Sequence, residues 1–147
     1  ERSAQVRRFA RMFTTAAGSD IPVFSLVLRK GYGLGAQAMT GGGFHRPVFN
    51  VSWPSGEFGG MGLEGAVRLG YRRELEAVQD PQERQELFES LVAQAYEHGK
   101  ASNMASYLEI DQVIDPRDTR QWISRGLRSM PAPTPRTGKK RPDIDPW

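Results

Sequence analysis

The sequence predicts an α/β fold, and three observations carry that reading. Two apolar runs of strand length occupy residues 23–28 and 48–51. Between them a glycine-spaced run leads into a short stretch of good helix formers at residues 35–39. From Pro81 onward, apolar residues recur at helical spacing instead. Strand-length apolar runs, glycine turns and helix-period sequence in one chain point to a sheet and helices sharing a core. The length, 147 residues, suits one such domain and is short for two.

Each element follows from local pattern. Residues 3–17 read as an amphipathic helix with Val6, Phe9, Ala10 and Phe13 on one face. Ser3 is placed to cap it, Arg7, Arg8 and Arg11 form its wet face, and Gly18-Ser19-Asp20 ends it. The first strand, the glycine turn and the short helix follow, and Thr40-Gly41-Gly42-Gly43 breaks that helix. The second strand runs to Trp53-Pro54, where proline has no N–H to continue a ladder. Residues 62–69 read as a buried helix through Leu63, Ala66 and Val67. Asp80 is placed as N-cap and Pro81 as first residue of a long helix ending at Gly99. Leu87, Phe88, Leu91, Val92 and Ala95 line one face of it. A short segment at 102–108 precedes a brief strand at 110–114, and Asp115-Pro116 opens a last helix carrying Trp122, Ile123 and Leu127. From Met130 the chain is proline-rich, basic and expected to be extended.

Composition narrows the classes. Hydrophobic residues at 38% and charged residues at 25% are values for a globular chain. With no cysteine, disulfides and thiolate metal sites are excluded, and a reducing compartment suits the chain. No apolar run approaches membrane-spanning length. The net charge of +3 is unevenly placed: from Arg117 onward the balance is +5, and before it −2. Such a tail reads as a solvated end or a surface against a partner subunit. Only Trp122 and Trp147 interleave it, so a nucleic-acid surface is not expected.

The chemistry concentrates in Arg29-Lys30-Gly31-Tyr32-Gly33-Leu34-Gly35-Ala36-Gln37-Ala38-Met39. Glycines at 31, 33 and 35 allow a sharp turn and leave backbone N–H groups uncovered. A turn of this kind opening a helix aims several N–H donors and the positive dipole end at one point. An anion or a developing oxyanion fits there. By spacing alone, a plain turn fits as well.

Side-chain catalysis has little support. His45 and His98 lie far apart in sequence, and His98, at a helix C-terminus, complements the dipole without doing chemistry. No HExxH, GxSxG or P-loop pattern is present, and no metal site is expected. The acidic residues of 74–89 read as a solvated helical face. Glu57 stands apart in the glycine-rich 53–62 loop, where a structural and a catalytic role are both open.

Six blocks in register carry a resemblance: Ile21-Pro22-Val23, Arg29-Lys30-Gly31-Tyr32-Gly33, Trp53-Pro54-Ser55-Gly56-Glu57, Met61-Gly62-Leu63-Glu64-Gly65-Ala66-Val67, Gly99-Lys100-Ala101, and Ile110-Asp111-Gln112-Val113-Ile114-Asp115-Pro116-Arg117-Asp118-Thr119-Arg120. In order and spacing, up to Gly138-Lys139-Lys140-Arg141-Pro142, the chain resembles the carboxyltransferase subunit (beta chain) of biotin-dependent acyl-CoA carboxylases of the propionyl- and methylmalonyl-CoA type. The resemblance implies a ClpP/crotonase-like spiral of ββα units with C-terminal helices. It covers only the later part of the second of the family's two crotonase-like halves. On that basis the chain is expected to be a partial domain, residues 1–130, with a tail at 131–147.

The same resemblance implies function. Family members transfer a carboxyl group from carboxybiotin, held on a separate carrier domain, to the α-carbon of an acyl-CoA. They use two oxyanion holes built from backbone amides, one per half. Here the biotin-side pair falls on the amides of Leu34 and Gly35, with Gly33 and Ala36 flanking the cofactor. Family members commonly read Tyr-Gly-Gly-Ala-Tyr where this chain has Tyr32-Gly33-Leu34-Gly35-Ala36; a backbone donor survives that change, although Leu34 adds an apolar side chain at the pocket lip. Implied partners are an acyl-CoA bound mainly by the N-terminal half, the biotin carrier and biotin carboxylase subunit, and further copies in a homo-oligomer. The implied setting is cytoplasmic. A free-standing crotonase-type hydratase or decarboxylase, or a non-enzymatic assembly piece, remains an alternative.

Overall fold

The computed structural model describes residues 5–135 and 137–138. The chain folds as α1 (Gln5–Ala17), β1 (Phe24–Val27), β2 (Lys30–Tyr32), α2 (Gly33–Met39), β3 (Phe49–Ser52), β4 (Glu57–Gly59), α3 (Leu63–Gly70), α4 (Arg72–Ala77), α5 (Pro81–His98), α6 (Ala101–Ser106), β5 (Gln112–Val113), a 3-10 turn (Pro116–Asp118) and α7 (Thr119–Ser129). The Ser3 cap and most of the basic tail lie outside the described residues.

Two turns of one repeating unit are visible: β1, β2 and α2, then β3, β4 and α3. The first strand of each turn joins a parallel sheet ordered β1-β3-β5, and the second joins a parallel pair β2-β4. Register runs Phe24 to Phe49 and Val27 to Ser52 in the larger sheet, and Lys30 to Glu57 and Tyr32 to Gly59 in the smaller. Parallel pairing needs a crossover between partners, and the helices supply it.

The larger sheet is covered on both faces. Phe49, Val51 and Ile114 form one core with Phe24, Leu26, Trp53 and Trp122 packed against it. On the opposite face Val27 meets Phe58, Ala101 and Ile110. Every residue of β3 is buried, as expected for a central parallel strand. The indole of Trp53 donates to the Thr119 hydroxyl at 3.0 Å and ties α7 over the first core. A glycine makes that docking possible: a Cβ on Gly126 would lie 2.7 Å from the Phe24 ring and 2.8 Å from the Phe49 ring. Both rings are held in the core, so Gly126→Ala should cost about 1–3 kcal/mol. Thermal unfolding of the single variant checks it; an unchanged Tm would show that α7 is free to lift away.

Two expectations need correction. The run after β1 is not one turn: residues 30–32 form β2, and the helix starts at Gly33 rather than Gly35. Likewise the 53–62 loop contains β4. Three-residue strands centred on Gly31 and Phe58 are too short to show alternation. They are defined by pairing with each other, and Gly31 lets them lie close, since its Cβ would stand 3.3 Å from the Phe58 ring. The apolar stripes of the first and long helices lie on α1 and α5, neither of which buries a residue fully, and Val6 is 68% exposed. The caps fare as expected, with the Asp80 carboxylate accepting from the N–H groups of Gln82 and Glu83 and Pro81 at the first helical position.

Candidate functional site

The glycine run of the sequence becomes the junction of β2 and α2. Tyr32 closes the strand in extended conformation and stands at the N-cap position, but its side chain does not cap the helix. Gly33 then takes φ +57°, a left-handed value that turns the chain from strand into helix within one residue. The amides of Gly33, Leu34 and Gly35 precede the first i to i−4 bond that α2 can close. Among the described residues no side chain accepts from them. Gly35 is exposed, and a Cβ added there would meet nothing within 4 Å. Leu34 is 64% exposed. The four positions expected from the resemblance are therefore consecutive in the first turn of one helix.

A groove runs beside this turn. It is lined by Leu28, Tyr32, Gly35, Ala36, Met39 and Phe44 along with the strand β1. Among the described residues β1 pairs only with β3, which leaves its other edge beside the groove that its residues line. Sequence reasoning had no signal for this edge, because pairing partners are a property of the assembled sheet.

Glu57, whose role the sequence left open, accepts a hydrogen bond across the smaller sheet. The Tyr32 hydroxyl donates to Glu57 Oε2 at 2.9 Å, from β2 across to β4. A second pair lies close by: the Tyr96 hydroxyl of α5 donates to Glu64 Oε1 of α3 at 2.7 Å. Burial first, and then the hydrogen bond to Glu57, push the Tyr32 phenol well above its ordinary range. Tyr96 is raised as well, chiefly by donating to Glu64, whose own carboxyl is lowered mainly by that same bond. Lys30 Nζ sits 6.0 Å from the Tyr32 ring centroid. The carboxylate thus serves as an acceptor that fixes a tyrosine. The signal for it was present in the sequence, one acid in the loop and one aromatic in the glycine run.

Other candidates are dispersed. His45 Nε2 lies 3.8 Å from Glu109 Oε2 at the surface, while His98 occupies the last turn of α5. Among the described residues no group of three or more His, Asp or Glu side chains is placed to share a metal ion. Nor is any helix among them long and apolar enough to cross a membrane.

Comparison with known proteins identifies the family. Residues 4–141 match the carboxyl transferase domain family. This chain belongs to that family. It is 34% identical over 127 residues to the methylmalonyl-CoA carboxyltransferase 12S subunit of Propionibacterium freudenreichii subsp. shermanii, covering 83% of this chain and 23% of that protein. It is 31% identical over 130 residues to the propionyl-CoA carboxylase carboxyltransferase subunit of Haloferax mediterranei, covering 88% of this chain and 25% of that one. Among solved structures, a single-chain, multi-domain long-chain acyl-CoA carboxylase aligns with TM-score 0.72 and 56% identity over 84% of this chain and 12% of its own. The transcarboxylase 12S hexamer with methylmalonyl-CoA bound aligns with TM-score 0.75 and 27% identity over 95% of this chain and 27% of its own. The two ββα turns of this carboxyl transferase domain are accordingly crotonase-like. The chain spans about a quarter of the length of the relatives it matches.

Proposed function

We propose that this chain forms the biotin-facing oxyanion hole of an acyl-CoA carboxyltransferase, with the backbone amides of Leu34 and Gly35 as its donors. The observation that carries the reading is the uncapped, solvent-open first turn of α2, in a chain of the carboxyl transferase family. Gly33 supplies the turn that aims the two amides, and Ala36 adds an apolar floor beside them. The residues fit a biotin ring system: two adjacent N–H donors for the ureido oxygen, and Leu28, Met39 and Phe44 for the apolar rings. Carboxybiotin, when bound, would supply the carboxyl group that replaces a proton on the acyl α-carbon and the ring nitrogen that takes that proton. This chain's amides stabilise the negative charge that the transfer leaves on the ureido oxygen. They are preset by the backbone and need no reorganisation as the charge grows, and each such donor is worth roughly 3–4 kcal/mol of barrier.

On this reading residues 1–130 act as the later part of the biotin-side half and residues 131–147 as its tail. The acyl-CoA is held mainly by an N-terminal half, the biotin arrives on a carrier associated with a biotin carboxylase, and the working protein is a cytoplasmic oligomer. The identity of 56% to a long-chain acyl-CoA carboxylase favours a long acyl chain as substrate. Alone, the chain should catalyse no transfer.

A titration of the isotopically labelled chain with biotin methyl ester tests the assignment. Saturable amide shifts centred on Leu34 and Gly35 are expected. Saturable binding that leaves those two amides unmoved would overturn it.

A further inference from the structure

We propose that Tyr32, clamped by Glu57, is the positioning residue that holds the oxyanion amides of Leu34 and Gly35 in line; this rests on the function proposed above. The segment from Gly31 to Gly35 contains only two side chains, Tyr32 and Leu34. Leu34 is 64% exposed and has no polar atom to anchor it. Glycine is the most permissive residue, so three of the five positions resist backbone rotation least. An oxyanion hole gains its effect from donors that are fixed before charge develops. Of the two, Tyr32 is the one whose side chain ties this turn by a hydrogen bond to a distant strand.

Its anchor is itself well held. The Glu57 N–H donates to the Arg29 carbonyl at 2.6 Å, and Glu57 bridges on its other side to Lys100. The neighbouring Phe58 N–H donates to the Gly99 carbonyl at 2.8 Å, and the Ala101 N–H donates to the Gly56 carbonyl at 3.1 Å. The carboxylate that receives the Tyr32 hydroxyl thus stands on a strand sewn to both β2 and the start of α6. The raised phenol supports the same role, since the hydroxyl keeps its proton, and so remains a donor, throughout the neutral range.

The test uses Tyr32→Phe, which removes only the hydroxyl, with Glu57→Ala, Glu57→Gln and the Tyr32→Phe/Glu57→Ala double variant. Two readouts are taken: biotin methyl ester affinity of the chain by amide shift, and carboxyl transfer in a carboxylase holoenzyme carrying it. Tyr32→Phe and Glu57→Ala should each weaken ester binding and lower kcat about tenfold, with KM for the acyl-CoA unchanged. The double variant should lose no more than either single change, because both delete one bond. Glu57→Gln keeps an acceptor and should stay near wild type. A lower Tm with kcat and ester affinity intact would reduce the pair to a strand tie and overturn the inference. So would Glu57→Gln as damaging as Glu57→Ala, which would show that charge, and not the bond, matters. Gly35→Pro separates the two proposals: if it is inactive while Tyr32→Phe is normal, the oxyanion hole stands and only the positioning role fails.

Discussion

Gly35→Pro should abolish carboxyl transfer in an assembled carboxylase, whereas Gly35→Ala should leave it close to wild type. Both substitutions add a side chain at a position where a Cβ meets nothing within 4 Å. Only proline removes the N–H. Position 35 lies in the first turn of α2, where no helical acceptor waits for that N–H, so proline is tolerated there better than in a helix interior. The difference between the variants therefore reads the donor itself. Loss of one oxyanion donor costs roughly 3–4 kcal/mol, a fall in kcat on the order of several hundred-fold. The measurement is kcat for carboxyl transfer, with size-exclusion chromatography confirming that the oligomer still forms. Equal activity in the two variants would mean that the amide of Gly35 does no chemistry.

The second large effect is on folding. Gly33→Ala should destabilise the chain by about 2–5 kcal/mol, a sum of two separate penalties. One is the left-handed φ of +57°, which costs an L-residue about 1–2 kcal/mol. The other is contact, because the new Cβ would stand 2.6 Å from the Gly60 carbonyl oxygen. That oxygen belongs to backbone just after β4, so relieving the clash means shifting one turn of the spiral against the next, at about 1–3 kcal/mol. Urea unfolding followed by circular dichroism gives the number, and Gly33→Asn provides a graded control. Asparagine tolerates left-handed φ better than alanine but meets the same carbonyl. If Asn matches Gly, sterics at Gly60 are relieved by a small shift; if Asn matches Ala, contact dominates.

How much of the site was legible depended on what kind of information held it. Glycine spacing encodes a backbone path locally, so the turn itself was legible, whereas the choice of Leu34 and Gly35 within it rests on the family resemblance. Glu57 could be singled out but not given a role, because its partner Tyr32 is 25 residues away and meets it only through the β2-β4 pairing. The two three-residue strands escaped notice for the same reason. Their register pairs Gly31 with Phe58, and the bond from the Glu57 N–H to the Arg29 carbonyl enters that pairing, contacts with no local pattern. Gly126 gave no signal at all. A glycine inside a helix reads as a weakness until the Phe24 and Phe49 rings are seen against it.

The sequence by itself determined the α/β class, the Asp80-Pro81 helix start, the strand before the glycine run and the family. These rest on near-neighbour physics: apolar periodicity, the fixed φ of proline, the freedom of glycine and the reach of a capping carboxylate. Tertiary structure alone decided that α2 begins at Gly33, that β1 pairs only with β3 among the described residues, that the apolar stripe of α5 stays half-exposed and that Tyr32 rests on Glu57. Each of those depends on which distant segment comes to lie alongside, and that is settled by the packing of whole turns of the spiral against one another.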